Sequence, residues 1–260
     1  MAQLNLPQRA RTVASRAVDK LADRVAERVN SSLATPTAPA FDPHDREGID
    51  NRHVELLLGW WVREDSNCID VGANQGRFLH HMTQRAPRGR HYAFEPIPML
   101  ADALREAYPG VEVHQAALYD EPGEAEFTLV PEDMGYSGLR ERAYPGEYRT
   151  EKIQVPLERL DDVLPEDYVP HVVKIDVEGA ELQVFRGARR TLAKHRPVLV
   201  FEHGPGAADR YGTTPEAVHD LLVGEVGMRL FDLDAAGPLS RDTFSELFYS
   251  GSRWNYVALP

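Results

Sequence analysis

The chain has 260 residues, 42% of them hydrophobic, and a formal net charge of −12 at pH 7. This length suffices for one α/β core and leaves little for a second domain. The acidic balance argues against nucleic acid as a partner, because both molecules carry negative charge.

A single cysteine, Cys68, excludes an intramolecular disulfide. The longest apolar run, Leu56 to Val62, is far shorter than the roughly 20 residues that span a bilayer. With no apolar signal core at the N-terminus, these features predict a cytoplasmic protein without a membrane span.

The N-terminal part of the chain differs from the rest in pattern and charge. Residues 8–30 have an amphipathic helical pattern, and they carry six basic and three acidic residues. Residues 31–40, rich in Ser, Thr, Ala and Pro, are typical of a flexible linker. We therefore divide the chain into an N-terminal helix and linker, residues 1–45, and a main domain, residues 46–260. The helix is expected to pack on the acidic body or to form a homodimer contact. Binding to a membrane surface is the disfavoured alternative, because acidic residues interrupt the basic face.

The most informative stretch is residues 68–76, CIDVGANQG. An apolar run leads into Asp70, then into a loop with Gly72 and Gly76, and a helical pattern follows. This order is typical of a strand, a tight turn and a helix N-terminus at the nucleotide-binding edge of a parallel sheet. Glu95 closes the next apolar run, 19 residues after Gly76. At that distance a second strand places a carboxylate on ribose hydroxyls.

The glycine spacing indicates which nucleotide is bound. A dinucleotide fingerprint has the pattern G-x-G-x-x-G, but this loop has Asn74 at the middle position and reads D-x-G-x-x-x-G. That pattern resembles the first motif of S-adenosylmethionine-dependent methyltransferases, whose cofactor has no pyrophosphate. The motif therefore favours S-adenosylmethionine over a nicotinamide cofactor, and a nicotinamide oxidoreductase is a disfavoured alternative.

The remaining patterns predict an α/β chain with one irregular insertion. Apolar runs at residues 111–118, 171–176 and 197–203 alternate with helical patterns, and residues 228–233 and 254–259 can supply two final strands. Alternating apolar and polar residues at 124–129 and 152–157 predict two half-exposed antiparallel strands. The 20 residues between them, 131–150, are rich in Gly, Tyr and Arg. A loop of this length in a compact domain predicts a lid over the cofactor or substrate.

Four stretches resemble the FkbM family of S-adenosylmethionine-dependent methyltransferases. They are residues 69–76, 94–96, 155–162 and, most specifically, 173–181, VKIDVEGAE. The resemblance covers about residues 50–258. It implies an α/β fold of the Rossmann-like class I methyltransferase type, with a seven-stranded, mostly parallel sheet in the order 3-2-1-4-5-7-6, strand 7 antiparallel and helices on both faces. It also implies O-methylation of a hydroxyl on a small molecule, such as a polyketide, a sugar or another specialised metabolite.

The expected cofactor site lies where the winding of such a sheet reverses, between the first and fourth strands. The loop at 70–76 should hold the methionine part of S-adenosylmethionine, Glu95 its ribose, and the segment near Ala117 its adenine. The predicted cofactor-binding residues are Asp70, Gly72, Asn74, Gly76, Glu95, Pro96, Ala117 and Leu118.

The hydroxyl acceptor needs a base or a metal, because an alcohol is a poor nucleophile until its proton leaves. Candidate bases at the ends of the fourth and fifth strands are Asp176, Glu178, Glu202 and His203, of which Asp176 and His203 are favoured. A hydrogen-bonded core position is the equally weighted alternative for His203. Glu181 is expected to be a helix N-terminal acid, and Lys174 to be a partner for a nearby carboxylate.

Two alternatives remain open from the sequence. Asp176, Glu202 and His203 could together hold Mg²⁺, which would lower the pKa of the acceptor hydroxyl. The protein could also be a catalytically silent S-adenosylmethionine-binding or partner-docking protein that uses its N-terminal helix.

Overall fold

The computed structural model of the protein describes residues 45–142, 144 and 146–260. The amphipathic segment at residues 8–30 and the linker that follows it lie outside the described residues. The division at residue 45 and the homodimer contact through the N-terminal helix therefore stay predictions.

A seven-stranded sheet forms the centre of the described part. Its strands are β1 (Cys68–Val71), β2 (His91–Phe94), β3 (Val111–His114), β7 (Val172–Ile175), β8 (Val198–Glu202), β9 (Arg229–Asp232) and β10 (Asn255–Leu259). Their spatial order is β3-β2-β1-β7-β8-β10-β9. Counted along the chain within this sheet, the order is 3-2-1-4-5-7-6, as predicted. β10, the last strand along the chain, is antiparallel to both of its neighbours, β8 and β9. The strands β3, β2, β1, β7 and β8 pair in parallel. The Rossmann-like fold class is thereby confirmed.

Helices cover both faces of this sheet. Strands β1, β2 and β7 are buried at every position, as expected for parallel strands enclosed by helices. Successive side chains alternate between faces: Ile69 and Val71 belong to one apolar cluster with Phe185 and Phe244, whereas Cys68 belongs to a second cluster on the other face. The helices are Arg46–Trp61, Arg77–Arg85, Pro98–Ala107, Leu160–Val163, Glu181–Gly187, Arg189–His195, Pro215–His219 and Arg241–Tyr249, with 3-10 turns at Met134–Tyr136 and Ala208–Tyr211 and a π-helical turn at Asp220–Glu225.

Three shorter strands form a second sheet, β4 (Ala117–Leu118), β5 (Gly123–Leu129) and β6 (Glu151–Glu158), in the order β4-β6-β5. β5 and β6 pair antiparallel with Ala125 opposite Val155, which confirms the strands predicted from alternation. Residues 131–150 connect them, so both ends of the predicted lid are anchored in this sheet.

Local signals for helix ends agree with the structure. The helix Pro215–His219 begins after Thr214, whose hydroxyl accepts a hydrogen bond from the Ala217 amide at 3.3 Å, as expected of a capping residue followed by proline. Within residues 45–142, 144 and 146–260, no helix is both long and apolar enough to cross a membrane.

Candidate functional site

Three neighbouring parallel strands end at the same level. Val71 at the end of β1 pairs in register with Phe94 of β2 and with Ile175 of β7. The residues that follow these strands therefore meet at one edge of the sheet, where a cavity of about 520 Å³ opens. Its volume lies within the range of small-ligand sites. The cavity occupies the crevice predicted between the first and fourth strands.

Gly72 fixes the turn at the floor of this cavity. Its amide donates to the Phe94 carbonyl at 2.9 Å, and its φ of +71° is left-handed. A Cβ atom at this position would lie 1.8 Å from the carbonyl oxygen of Asp176. Only glycine meets both requirements, because it tolerates positive φ and allows the two strand ends to approach closely.

The rest of the loop also has left-handed residues. Asn74 has φ +47° and lines the cavity. Gly76 has φ +80° and immediately precedes the helix Arg77–Arg85, and a Cβ there would lie 2.7 Å from Leu104 Cδ2. Gly76 does not line the cavity. Gly76 therefore contributes to the predicted site by allowing the loop to pack closely against the helix Pro98–Ala107.

Glu95 lies at the end of β2 with its carboxylate held by the backbone. Its Oε2 accepts a hydrogen bond from the Asn74 amide at 2.8 Å, and its Oε1 accepts from the Ile97 amide at 2.9 Å. Burial raises the pKa of Glu95 to about 7, while the two amide donors oppose that shift. Each oxygen keeps a second lone pair, so Glu95 can also accept from two ligand hydroxyls.

Asp70 does not line the cavity, although the sequence predicts it as a cofactor residue. It is completely buried, and its Oδ1 lies 3.5 Å from Lys174 Nζ. The same ammonium donates to the Gly72 carbonyl at 2.9 Å and lies 3.5 Å from Asp176 Oδ2. Burial raises the pKa of Asp70, and Lys174 opposes the shift. Asp70 therefore acts on the loop through Lys174, and the predicted pairing of Lys174 with a carboxylate is confirmed.

The remaining predicted cofactor residues come from the segments that follow β2 and β3. Pro96, Ala117 and Leu118 line the cavity. Residues of the predicted lid complete the enclosure on this side: Asp133, Met134, Gly135, Ser137 and Leu139. The lid prediction agrees with this arrangement.

A second cavity of about 410 Å³ adjoins the first. Of the residues that the structure describes, those that line both cavities are Glu47, Asn51, Phe78, Lys174, Asp176, Glu178 and Glu202. Other residues line only the second cavity and come from distant parts of the chain. They include Arg46, Asp50, Tyr136, Arg142, Trp254 and Asn255.

Four acids in the described part of the chain line both cavities: Glu47, which is exposed, and Asp176, Glu178 and Glu202, which lie at or just after the carboxyl ends of β7 and β8. Two of these last three lie close to cations. Asp176 faces Lys174 at 3.5 Å. Glu178 accepts a hydrogen bond from the Arg142 guanidinium and has a left-handed φ of +56°. Burial and the charge of Asp176 raise the pKa of Glu178 to about 8, and Arg142 opposes the shift.

Glu202, at the end of β8, completes this wall. Burial, and then the negative charges of Asp176 and Glu178, raise the pKa of Glu202 well above its ordinary value.

The structure does not bring His203 to either cavity, which corrects its assignment as a candidate base. The side chain is completely buried, its ring centroid is 4.9 Å from that of Phe248, and its Nδ1 lies 3.5 Å from Glu181 Oε2. Successive side chains of extended backbone point to opposite sides. Because Glu202 faces the cavities, His203 faces the helix Arg241–Tyr249. The core-histidine alternative is the one that the structure supports.

The predicted metal ligands are likewise not assembled. Asp176 and Glu202 line the shared wall, but His203 is turned away and the Lys174 ammonium lies 3.5 Å from Asp176. Across the part of the chain that the structure describes, no three His, Cys, Asp or Glu side chains are grouped so that they could hold a metal ion. The residues present do not fit the Mg²⁺ alternative, and it is not supported.

Sequence patterns missed the residues that complete the second cavity. Arg142 belongs to the lid, and its guanidinium lies 5.2 Å from the Tyr136 ring centroid. The arginine and tyrosine content of the lid could have indicated this contact. No local signal singles out Arg46, Trp254 or Asn255, because they reach the site only through tertiary packing.

Comparison with known proteins agrees with this geometry. Residues 70–230 match the profile of the Methyltransferase FkbM domain. The chain is 32% identical over 152 residues to Methyltransferase sdnD of Sordaria araneosa, an alignment that covers 46% of this chain and 59% of that protein. It is 30% identical over 148 residues to Methyltransferase 1 of Beauveria bassiana, covering 48% and 59%. A third relative, 2-O-methyltransferase NoeI of Sinorhizobium fredii, is 26% identical over 162 residues, covering 56% and 65%.

The chain thus spans about 59% of the length of the first two relatives. The family profile, by contrast, runs from Asp70 at the end of β1 to Leu230 in β9. It includes the loop at 72–76, Glu95 and the shared carboxylate wall. The chain therefore belongs to the Methyltransferase FkbM domain family.

Proposed function

We propose that this protein transfers a methyl group from S-adenosylmethionine to a hydroxyl oxygen of a small-molecule acceptor. The observation that carries the proposal is the larger cavity, where the Glu95 carboxylate and the 72–76 loop meet at the carboxyl ends of β1, β2 and β7. The name of one relative, a 2-O-methyltransferase, supports oxygen as the receiving atom. The net charge of −12 favours a small molecule over a nucleic acid.

The cavity has the chemical groups that this methyl donor requires. The two oxygens of Glu95 have free lone pairs for the vicinal hydroxyls of a ribose, and Ala117 and Leu118 offer an apolar surface for an adenine. The loop at 72–76 would contact the methionine part. When bound, S-adenosylmethionine supplies a methyl group on a positively charged sulfur atom.

The second cavity is the natural site for the acceptor, because it opens onto the first through a shared wall. Asp176, Glu178 and Glu202 are on that wall. An acceptor oxygen held there would be kept close to the methyl group and aligned with it, which contributes much of the acceleration in such displacements. The lid residues Tyr136 and Arg142 would exclude water from the reaction.

Calorimetric titration with S-adenosylhomocysteine, the product of such a transfer, tests the methyl donor. We expect one site per chain with S-adenosylhomocysteine and no measurable heat with NAD. Binding of NAD in preference to S-adenosylhomocysteine would contradict the proposal and favour an oxidoreductase. The acceptor can then be sought in a deletion strain, as an accumulated metabolite that is lighter than the final product by one methylene unit.

A further inference from the structure

We propose that Glu202 is the catalytic base that receives the proton of the acceptor hydroxyl. The inference rests on the proposed function, since it assigns a role within that methyl transfer. It singles out one of the three carboxylates at or just after the carboxyl ends of β7 and β8. It also differs from what the sequence favours, namely Asp176 or His203.

Of these three carboxylates, Glu202 is the unpaired one; Glu47, the other acid among the described residues that lines both cavities, is exposed at the start of the helix Arg46–Trp61. The carboxylate of Asp176 shares the Lys174 ammonium with Asp70, at 3.5 Å from each, and that of Glu178 is paired with Arg142. Within residues 45–142, 144 and 146–260, Glu202 has no side-chain hydrogen bond or ion pair. A carboxylate that is already matched by a cation is a weaker base, because the cation stabilises its ionised form. The unmatched one keeps both oxygens available for a ligand.

The position of Glu202 also suits a base. It lies at the end of a central strand, where its backbone is paired with Asn255 of β10, and Asn255 in turn donates to Asp50 at 3.1 Å. A side chain on a strand is placed more accurately than one on a loop. Because Glu202 lines both cavities, its carboxylate is within the region where the methyl group and the acceptor would meet.

The charges around Glu202 indicate when it can act. Burial and nearby acids raise the pKa of Glu202, so the surrounding protein groups by themselves favour its protonated form. A positively charged sulfur in the larger cavity would reverse this preference and favour the carboxylate when the methyl donor is bound. The charged groups that face Glu202 or share its cavities are Arg46, Glu47, Asp50, Arg77, Glu95, Asp133, Arg142, Lys174, Asp176, Glu178 and Glu181.

The proposed step balances without a further reactant. The acceptor oxygen forms a bond to the methyl carbon, and the carbon–sulfur bond breaks with its electron pair returning to sulfur. The hydroxyl proton passes to a Glu202 oxygen and leaves to solvent after the product dissociates. The sulfur loses its positive charge, so the site ends with a neutral thioether and a protonated carboxyl group.

The test compares two ligands that differ at the reacting position. Sinefungin carries an ammonium group where S-adenosylmethionine has its methyl-bearing sulfur, whereas S-adenosylhomocysteine has a neutral thioether. A carboxylate beside the transferred methyl group should favour sinefungin. We define the preference as the Kd for S-adenosylhomocysteine divided by the Kd for sinefungin. In Glu202→Gln, we expect calorimetry to give an unchanged Kd for S-adenosylhomocysteine and a preference reduced at least tenfold. In the wild-type protein, the preference should increase as the pH is raised and Glu202 loses its proton.

Two variants serve as comparisons. Glu106→Gln removes an exposed carboxylate from the helix Pro98–Ala107, away from both cavities, and should leave both affinities unchanged. Asp176→Asn should change the preference less than Glu202→Gln, because Lys174 balances Asp176. A larger effect in Asp176→Asn, or equal preferences in the wild type and Glu202→Gln, would overturn the inference.

The two proposals fail in different ways. If the wild-type protein binds no S-adenosylhomocysteine, the proposed function is wrong. If it binds S-adenosylhomocysteine but its preference for sinefungin does not depend on pH, only the role of Glu202 is wrong. The pH series on the wild-type protein keeps this distinction even if Glu202→Gln folds poorly.

Discussion

Glu95 illustrates how burial prepares a single residue for binding. Its carboxylate is held by two backbone amides, yet burial raises its pKa to about 7. Between the ordinary value of 4.5 and about 7, the folded protein binds a proton that the unfolded chain has lost. This carboxyl group therefore costs the fold stability as the pH rises through that window. Ribose hydroxyls that donate to the ionised form would offset part of this cost.

Glu95→Gln should weaken binding of S-adenosylhomocysteine. The substitution places an amide NH₂ against one of the two backbone donors and removes the charge that ribose hydroxyls would contact. Because hydrogen bonds to charged groups contribute about 1.5–3 kcal/mol, we expect a loss of about 2 kcal/mol, or roughly 30-fold in Kd. Calorimetry between pH 6 and pH 8 is the measurement: wild-type affinity should increase with pH, and part of that dependence should disappear in the variant.

The exposed carboxylate of Glu246, on the helix Arg241–Tyr249, is a suitable control for Glu95. Glu246→Gln should keep both the affinity and its pH dependence. An unchanged Kd in Glu95→Gln would mean that the ribose is not bound at the end of β2.

At the scale of elements, the lid at residues 131–150 contributes residues to the lining of both cavities. Its tyrosines contact one another, with ring centroids of Tyr136 and Tyr148 5.7 Å apart and those of Tyr144 and Tyr148 5.8 Å apart. The Arg142 guanidinium lies over Tyr136 and pairs with Glu178. This ion pair joins the lid to the loop after β7, so it should hold the lid over a bound ligand.

Arg142→Gln should accelerate ligand release. Removal of the guanidinium leaves Glu178 without its cation and takes away the contact with Tyr136. We expect the dissociation rate of S-adenosylhomocysteine, measured by stopped-flow fluorescence, to rise about tenfold, with a smaller change in the association rate.

Arg149→Gln is the matched control in the same segment. Its side chain is 68% exposed and lies 3.5 Å from Glu132, and exposed pairs contribute little. Equal dissociation rates in both variants would show that the Arg142–Glu178 pair does not hold the lid.

At the scale of the whole molecule, aromatic rings of β8, of β10 and of the helix Arg241–Tyr249 contact one another. These contacts pack that helix against the antiparallel end of the sheet. Phe244 is completely buried, and its ring centroid is 4.7 Å from that of Tyr256. Tyr256 in turn is 5.8 Å from Phe201. These rings belong to the largest apolar cluster of the described residues.

Phe244→Ala should lower the free energy of unfolding by about 3–5 kcal/mol, because it removes a large buried side chain and leaves a cavity. Chemical denaturation followed by circular dichroism is the measurement. Tyr249→Ala, in the same helix but 63% exposed, should cost about 0.5 kcal/mol or less. Similar losses in both variants would contradict the placement of Phe244 in the core.

The individual strands and helices could be predicted from local patterns because each has its own periodicity, whereas the order of the strands was implied by the resemblance to the FkbM family. The loop after β1 was also accessible: a left-handed turn that approaches another backbone requires glycine, and Gly72 meets Asp176 in this way. The roles of Asp70 and Gly76 were less accessible, since both lie beside the cavity and neither lines it. Spacing along the chain places a residue at a strand end, but it does not say whether its side chain faces a ligand or the core.

Sequence alone determined the individual strands, through the hydrophobic periodicity of each segment, and the family, through short motifs that also indicated the sheet edge at which the larger cavity lies. The order of the strands was implied by the resemblance to that family. Only the tertiary structure decided which acids are paired and which is free. It turned His203 into the core, paired Asp176 with Lys174 and Glu178 with Arg142, and left Glu202 as the unmatched carboxylate. Lys174 and Asp176 are only two residues apart, and the sequence predicted a carboxylate partner for Lys174. The pair Arg142–Glu178 and the burial of His203, by contrast, depend on residues far apart in the chain, and only packing brings those residues together.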